Sequence, residues 1–455
     1  MTIHFTAIGG AVMHQLALCL SEQGHRVSGS DDEIYDPARS NLDAAGLLPA
    51  HEGFVADRIH RDLDLVIAGM HARADNVELR RADELGVRVL SFPEYVGEAA
   101  RHKTRVVVAG SHGKTSTTAL LLRALQHAGR DADYLVGATL PGADRSVRLT
   151  DAPLMVIEGD EYPASALRPD PKFLFYDPHI VILTGIAWDH VNVFPKLADY
   201  HDAFRHFLAG LREGTTVIHF AHDEVLAGLV GEVSHRIHAV PYGTPDHTPH
   251  ADGWTVHHDG RSYPTGLIGR HNLQNLEAAR HAAGALGIDD RTVLDAMDGF
   301  TGADKRLDVL HTSERHVVIR DFAHAPSKAR ASLQAVRETY PHHRLVACLE
   351  LHTYSSLDAD FLPQYAGALD AADQAMVYVS DHAMEIKRRA PIADQAIRSG
   401  FRRDDLAIGR APGDLDRFLA PHLASDVEPV VLMLMSSGRF DGVRVVDADG
   451  GLIRF

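Results

Sequence analysis

The chain has 455 residues, more than one hydrophobic core can serve, so two to four domains are expected. Its 45% hydrophobic and 24% charged content is that of a globular protein, and a formal charge of −17 argues against nonspecific binding to nucleic acid or a membrane surface. The two cysteines, Cys19 and Cys348, lie in apolar stretches, which argues against a disulfide framework and fits a reducing, cytoplasmic setting. No basic-then-apolar leader opens the chain, and no apolar run is long enough for a membrane span.

In chain order, His4–Ile8, His25–Gly29, Leu65–Ala68 and Val87–Leu90 read as strands. Val12–Gln23, Asn76–Leu85 and Pro93–Ala100 read as helices between them. This alternation predicts a parallel sheet with ligands at the carboxyl ends of its strands. A short basic linker, Arg101–Arg105, leads into the buried-strand run Arg105–Ala109. A glycine turn follows, Gly110-Ser111-His112-Gly113-Lys114-Thr115, and then a helix from Ser116 to Gln126. Further buried strands are predicted at Leu154–Ile157, Ile180–Thr184 and Thr216–Phe220, a hairpin excursion over 241–266, and helices at Leu273–Leu286 and Arg291–Met297. Near Gly302–Leu307 the pattern restarts. Strands are predicted at Val317–Arg320, Leu345–Leu349, Ala375–Val379 and Val430–Met435, with helices at Ser327–Glu338, Phe361–Leu369, Ile392–Gly400 and Gly413–Leu423. The expected architecture is α/β in three domains: a Rossmann-like domain over 1–100, a central P-loop-type ATPase with a parallel sheet over 101–304, and a Rossmann-like domain over 305–455.

A strand, a glycine-rich turn ending in Lys-Thr and a helix make a phosphate cradle. Turn N–H groups face the anion, Lys114 reaches the β/γ-phosphates and the Thr115 hydroxyl can hold Mg²⁺. The pattern is incomplete, since its first glycine would fall at Val108. Glu158, Asp160 and Glu161 end one predicted strand, and Asp189 and His190 follow the next, so both sets share the cradle's edge of the sheet. Glu158 suits a Mg²⁺ ligand. Asp160 and Glu161 suit that role or, equally, the first turn of a helix, where the macrodipole favours acids. Further on, His271, Asn272 and Asn275 open a helix, with the asparagines on one face, a pattern that suits the donor/acceptor edge of a base or a simple N-cap. Lys305-Arg306 offers a phosphate contact or is simply a solvated basic pair in a linker. Asp321 to Pro326 follows a strand, at an edge where ligands bind.

Together these pieces resemble the Mur ligase family, ATP-dependent amide ligases that assemble the peptide of bacterial cell-wall precursors. The family's motifs are matched in order by Gly110–Thr115, Glu158–Glu161, Thr184–His190, Gly269–Ala279, Lys305-Arg306 and Asp321–Pro326, and the likeness spans essentially the whole chain. The turn Gly9-Gly10 with Asp31 resembles the UDP-N-acetylmuramate-binding domain of the branch that uses the unextended muramic acid. The resemblance implies ATP and Mg²⁺ as cofactors. It implies catalytic roles for Lys114, Glu158, His190 and Arg306, and metal ligation by Thr115, Glu158 and His190. Nucleotide contacts are implied at Gly110 to Thr115, His271, Asn272, Asn275 and Asp321. Substrate contacts are implied at Gly9, Gly10, Asp31, His324, His352, Ser355 and Lys387.

The implied partners are UDP-N-acetylmuramate and a short cell-wall peptide, with no nucleic acid, membrane or obligate protein partner. Cys348-Leu-Glu350-Leu351, Met435-Ser436-Ser437-Gly438 and the acidic segment from Asp31 to Ser40 favour a recycled tripeptide, L-Ala-γ-D-Glu-meso-diaminopimelate, as the acceptor. The alternative is L-alanine, in de novo synthesis. Two rivals are weaker. A nicotinamide dehydrogenase would need glycines at positions held by Ala7 and Val12. A non-catalytic nucleotide-binding regulator would not need Lys114, Glu158 and His190 together.

Overall fold

The computed structural model describes residues 1–70, 72–73, 75–137, 145–188, 193–250, 253–302, 306–353, 355–386, 389–424, 428–438, 440–442, 444–446 and 452–454. The chain divides into two compact units, residues 1–186 with 198–243 and 278–293, and residues 187–197 with 244–277 and 294–455. Among the described residues, no helix is long and apolar enough to cross a membrane.

The first unit opens with β1 (Thr2–Thr6), α1 (Met13–Glu22), β2 (Arg26–Ser30), α2 (Ala38–Ala44), β3 (Leu65–Ala68), α3 (Val77–Leu85), β4 (Val89–Ser91) and α4 (Phe92–Ala99). Its strands form a parallel sheet in the order β2-β1-β3-β4. Helix starts are specified locally. The Asn76 side chain accepts from the N–H groups of Glu78 and Leu79, and Ser91 with Glu94 closes a capping box. Helix α2 was not expected. Only Ala38 and Leu42 are buried along it, too few to show a helical period.

The same unit continues with β5 (Thr104–Ala109), α5 (Lys114–His127), β6 (Asp133–Leu135), β7 (Val147–Arg148) and β8 (Leu154–Gly159). A hairpin of β9 (Pro163–Ser165) and β10 (Arg168–Pro171) follows, then β11 (Ile180–Leu183), α6 (Leu197–Gly210), β12 (Thr216–Phe220), α7 (Glu224–Val233) and β13 (His238–Tyr242). The sheet order is β13-β12-β11-β5-β8-β6-β7, with β7 alone antiparallel to its neighbour. Strand β5 lies at the centre, and Val106, Val107, Val108 and Ala109 are all fully buried. A strand covered on both faces has no reason to alternate polar with apolar residues, which explains the unbroken run. Because β5 lies between β8 and β11, the strand ends carrying Gly110, Glu158 and Thr184 are neighbours. Arg105, 2% exposed, clasps the segment entering this sheet: its guanidinium donates to the carbonyls of Ala100 (2.8 Å), Arg101 (2.7 Å) and Asp177 (2.8 Å).

In the second unit the excursion is a three-stranded antiparallel sheet of β14 (His247–His250), β15 (Gly253–His258) and β16 (Arg261–Thr265). The chain continues through α8 (Arg270–Ala285) and α9 (Asp290–Asp295), of which residues 278–293 belong to the first unit, and then β17 (Asp308–Thr312), β18 (His316–Asp321), α10 (Pro326–Thr339) and β19 (Arg344–Glu350). It runs on through β20 (Gln374–Tyr378), α11 (Asp381–Ile386), α12 (Asp394–Phe401), β21 (Ala407–Gly409), α13 (Pro412–Leu423) and β22 (Val430–Met435), and a short antiparallel pair, Arg444–Val446 with Leu452–Arg454, follows. The six-stranded order is β17-β18-β22-β19-β20-β21, parallel except for β17. Alternate residues serve opposite faces. Ile319, Ala347, Val377 and Met433 pack with Leu333 and Val336 of α10, while Val318, Cys348, Met376 and Leu432 pack with Leu415 and Leu419 of α13. Burying each of the valine, leucine, isoleucine and methionine side chains among them stabilises by about 1.5–3 kcal/mol. The helix expected at 361–369 is a single 3₁₀ turn, Leu362–Tyr365. Pro363 fits only a first turn, and Gly367, with a φ of 73°, turns the chain away.

Candidate active site

The turn after β5 needs its glycines. Gly110 has a φ of 122° and Gly113 a φ of 80°. A Cβ on Gly110 would also lie 2.5 Å from the Thr184 hydroxyl and 2.7 Å from the Gly185 carbonyl. The turn is tied to the end of β11. Ser111 N donates to Gly185 O at 2.9 Å, and the Thr184 hydroxyl donates to the carbonyls of Ala109 (3.2 Å) and His112. Gly113 precedes Lys114, which starts α5, so the helix N-terminus points into the turn.

The acids at the end of β8 are not helix-opening residues; the chain runs from them into β9. Lys114 Nζ donates to Gly110 O at 2.6 Å and to Glu161 Oε2 at 2.7 Å, and the Glu161 side chain is fully buried. Burial works against the Lys114 charge, but Glu161, Asp160 and Glu158 outweigh it and hold the lysine above its ordinary pKa. Lys172 takes Asp160 instead, at 2.7 Å. Tyr200, buried on α6, donates to Ser111 Oγ (3.0 Å) and Glu161 Oε1 (3.2 Å), so one hydroxyl spans the turn and the acid. Thr115 Oγ1 donates to Glu158 Oε1, and Glu158 Oε2 accepts from Gly137 N. A hydroxyl and a carboxylate are hard oxygen donors. Among the described residues no three His, Cys, Asp or Glu side chains gather into a metal cage. The Thr115 hydroxyl and Glu158 carboxylate fit Mg²⁺, which binds through one or two protein oxygens and takes the rest from phosphate and water.

The other expected residues fall into separate groups. Gly9 N donates to Asp31 Oδ2 at 2.8 Å beyond the ends of β1 and β2, and Gly10 O accepts from His14 Nδ1 at 2.9 Å. In the second unit Asn272 Nδ2 donates to Ile268 O (2.9 Å) and Asn275 Nδ2 to Asn272 Oδ1 (3.1 Å), so the two asparagines form one buried pair inside α8. Burial lowers the pKa of His271, against the pull of Asp321 and Glu338. Asp321 accepts from Leu307 N (3.3 Å), Phe322 N (2.9 Å) and the Ser332 hydroxyl, and the Arg306 guanidinium sits 4.7 Å over the Phe322 ring. His324 Nδ1 meets Phe322 O at 2.9 Å. His352 lies 3.7 Å from Glu350, and Ser355 is half-buried in the turn that follows. His190 and Lys387 lie outside the described residues.

Glu161 and Tyr200 are the residues whose parts sequence reasoning missed. Glu161 was visible as one of two acids of equal standing. Tyr200 shares an apolar stripe with Phe204 and Phe207, which reads as core and carries no sign of its hydroxyl's partners.

A parallel sheet with a glycine turn, a buried lysine and a Thr–Glu pair on one edge defines a P-loop-type nucleotide-binding α/β protein. Residues 2–104 match the Mur ligase family catalytic domain, and residues 108–283 match the Mur ligase middle domain. A UDP-N-acetylmuramate–L-alanine ligase from Roseiflexus sp. (strain RS-1) is 32% identical, over 82% of this chain and 83% of its own. Among solved structures, a UDP-N-acetylmuramate–alanine ligase from Thermotoga maritima has a TM-score of 0.71 at 23% identity, covering 97% of this chain and 96% of that one. A murein peptide ligase from Psychrobacter arcticus has a TM-score of 0.68 at 23% identity, with 97% of each chain covered. The chain belongs to the Mur ligase family. It is an ATP-dependent ligase that forms a C–N bond in peptidoglycan assembly, with the family's three-domain α/β architecture.

These relatives overturn the expected acceptor. The Glu350 and Ser436 stretches and the segment from Asp31 to Ser40 favour the recycled tripeptide, yet relatives matching 82% of the chain at 32% and 31% identity are named L-alanine ligases. The structure accounts for two of these three signals. The Ser436 hydroxyl donates to Glu350 Oε2, so two departures weighed as separate signals are one coupled pair. The two solved structures, at 23% identity, bear on the fold alone.

Proposed function

We propose that this chain joins the lactate carboxylate of UDP-N-acetylmuramate to the amino group of L-alanine at the expense of ATP. The supporting observation is the match of most of the chain to relatives named for that reaction, at 32% identity over 82% of its length. On the motif match, residues 1–100 are assigned to the UDP-sugar through Gly9, Gly10 and Asp31, and residues 101–304 to ATP. Residues 305–455 are assigned to the acceptor through His324, His352 and Ser355. His271, Asn272 and Asn275 are assigned to adenine, and Arg306 and Asp321 to the nucleotide.

A carboxylate is a poor electrophile. It attacks the γ-phosphate in line to give an acyl phosphate and ADP, and the amine then attacks the acyl carbon, leaving amide and phosphate. Lys114, kept charged by Glu161, neutralises the β/γ-phosphates, and the turn N–H groups and the start of α5 orient them. Thr115 and Glu158 would hold Mg²⁺, which when bound offsets phosphate charge.

The test is phosphate release from Mg-ATP and UDP-N-acetylmuramate, with and without L-alanine, checked by product mass. Alanine-dependent release with the alanyl product is expected. Release with the tripeptide and none with L-alanine would overturn the proposal.

A further inference from the structure

At the carboxyl edge of the second unit's six-stranded sheet, β19 ends on Glu350, 1% exposed, and β22 leads into Ser436. Ligands bind at such edges. Glu350 Oε2 accepts from the Ser436 hydroxyl and from Phe440 N (3.0 Å), which fixes the carboxylate. The segment carrying those donors is itself anchored, with Tyr378, at the end of β20, donating to Asp441 Oδ2 at 2.8 Å. The other oxygen, Oε1, lies 3.7 Å from His352 Nδ1, and the imidazole is 37% exposed. Gly438 closes over the pair. A Cβ there would lie 2.8 Å from Glu350 Oε2 and 3.0 Å from His352 Nδ1, so any other residue would displace the carboxylate or the imidazole. A buried, doubly bonded carboxylate behind a half-exposed imidazole is the arrangement that sets a histidine's tautomer and steadies its cation.

We infer that His352 is the base that deprotonates the acceptor's ammonium group, with Glu350 as its positioning residue. The inference rests on the proposed function, since an amino acid arrives as an ammonium ion and cannot attack. His352 takes one proton, and the neutral amine adds to the acyl carbon as the C–O bond to phosphate breaks. The second N–H proton leaves with phosphate as HPO₄²⁻, and the imidazolium returns its proton to water. The distance of 3.7 Å exceeds a hydrogen bond and would shorten with the acceptor in place.

The experiment compares His352→Gln and Glu350→Gln with the unaltered protein, using L-alanine and, separately, hydroxylamine as acceptor. Hydroxylamine is largely unprotonated at neutral pH, so it needs no base, and its hydroxamate product reports acyl-phosphate formation. His352→Gln should lower kcat with L-alanine about a hundredfold or more, the scale of general-base catalysis, while hydroxamate formation stays within about threefold. Glu350→Gln should lower kcat with alanine about tenfold, with KM for ATP unchanged. Undiminished alanine turnover in His352→Gln, or equal loss with both nucleophiles, would overturn the inference. If the unaltered protein forms hydroxamate but no alanyl product, the proposed acceptor fails instead.

Discussion

Lys114 and Glu161 form the pair on which the cradle turns, and its parts can be separated. Removing the lysine takes a cation from the phosphates and leaves the Glu161 carboxylate buried without its cation, which costs about 3–5 kcal/mol. Lys114→Met should therefore lower turnover at least about a hundredfold and also lower the thermal midpoint. Adding Glu161→Gln should recover most of the midpoint in calorimetry and none of the turnover; recovery of turnover would sink the assignment. A second buried acid, Glu78, offers a test against pH. Burial pushes its pKa up, but hydrogen bonds from His4 (3.2 Å) and Ser30 outweigh it, and the carboxyl titrates below its usual range. A depressed folded pKa contributes stability above the unfolded value of roughly 4.3, lost as pH falls through the folded one. Urea midpoints should fall more steeply on acidification in the natural protein than in Glu78→Gln, and parallel curves would contradict this. The cradle residues Gly110, Lys114, Thr115 and Glu158 were legible because motif spacing encodes them. Glu78 was not, since it is one of three acids in its helix, with Asp83 and Glu84, and nothing in the sequence marks it as the buried one.

Elements were legible where two signals coincide and obscure where only one exists. Strand β5 combines an unbroken apolar run with a following glycine turn, and β19 and β22 are apolar on both faces. The 3₁₀ turn at Leu362–Tyr365 has the apolar content of a helix, and only Pro363 and Gly367 show otherwise. The hairpin β9–β10 after Glu161 is rich in proline and shows no alternation, so the acids before it were equally readable as the start of a helix. At the junction of β5 and α5, geometry decides more than composition. Gly110→Ala combines a left-handed φ with a Cβ 2.5 Å from the Thr184 hydroxyl, so the turn must shift away from β11. ATP affinity, read by titration calorimetry, should fall at least about tenfold, with little change in far-UV circular dichroism. Unchanged affinity would show that the turn's contact with β11 is dispensable.

Across the whole molecule, three α/β sheets in succession were readable from the rhythm of the sequence, and the acceptor was not. Acceptor choice depends on a few side chains meeting in space, and Glu350 and Ser436 stand 86 positions apart. The basic stretch 101–105 illustrates the same limit, since it has the composition of a tether. Arg101 and Lys103 would be open to trypsin in a loose linker, because a protease needs several residues it can draw out into an extended strand. With Arg105 gripping the carbonyls of Ala100 and Arg101, those residues cannot be drawn out without breaking the clasp. Brief trypsin digestion should leave this stretch whole in the natural protein and cut it in Arg105→Met; cleavage there in both would refute the clasp. A fragment excised at residue 100 would leave behind the arginine that fastens its last turn, and so should fray at its new end.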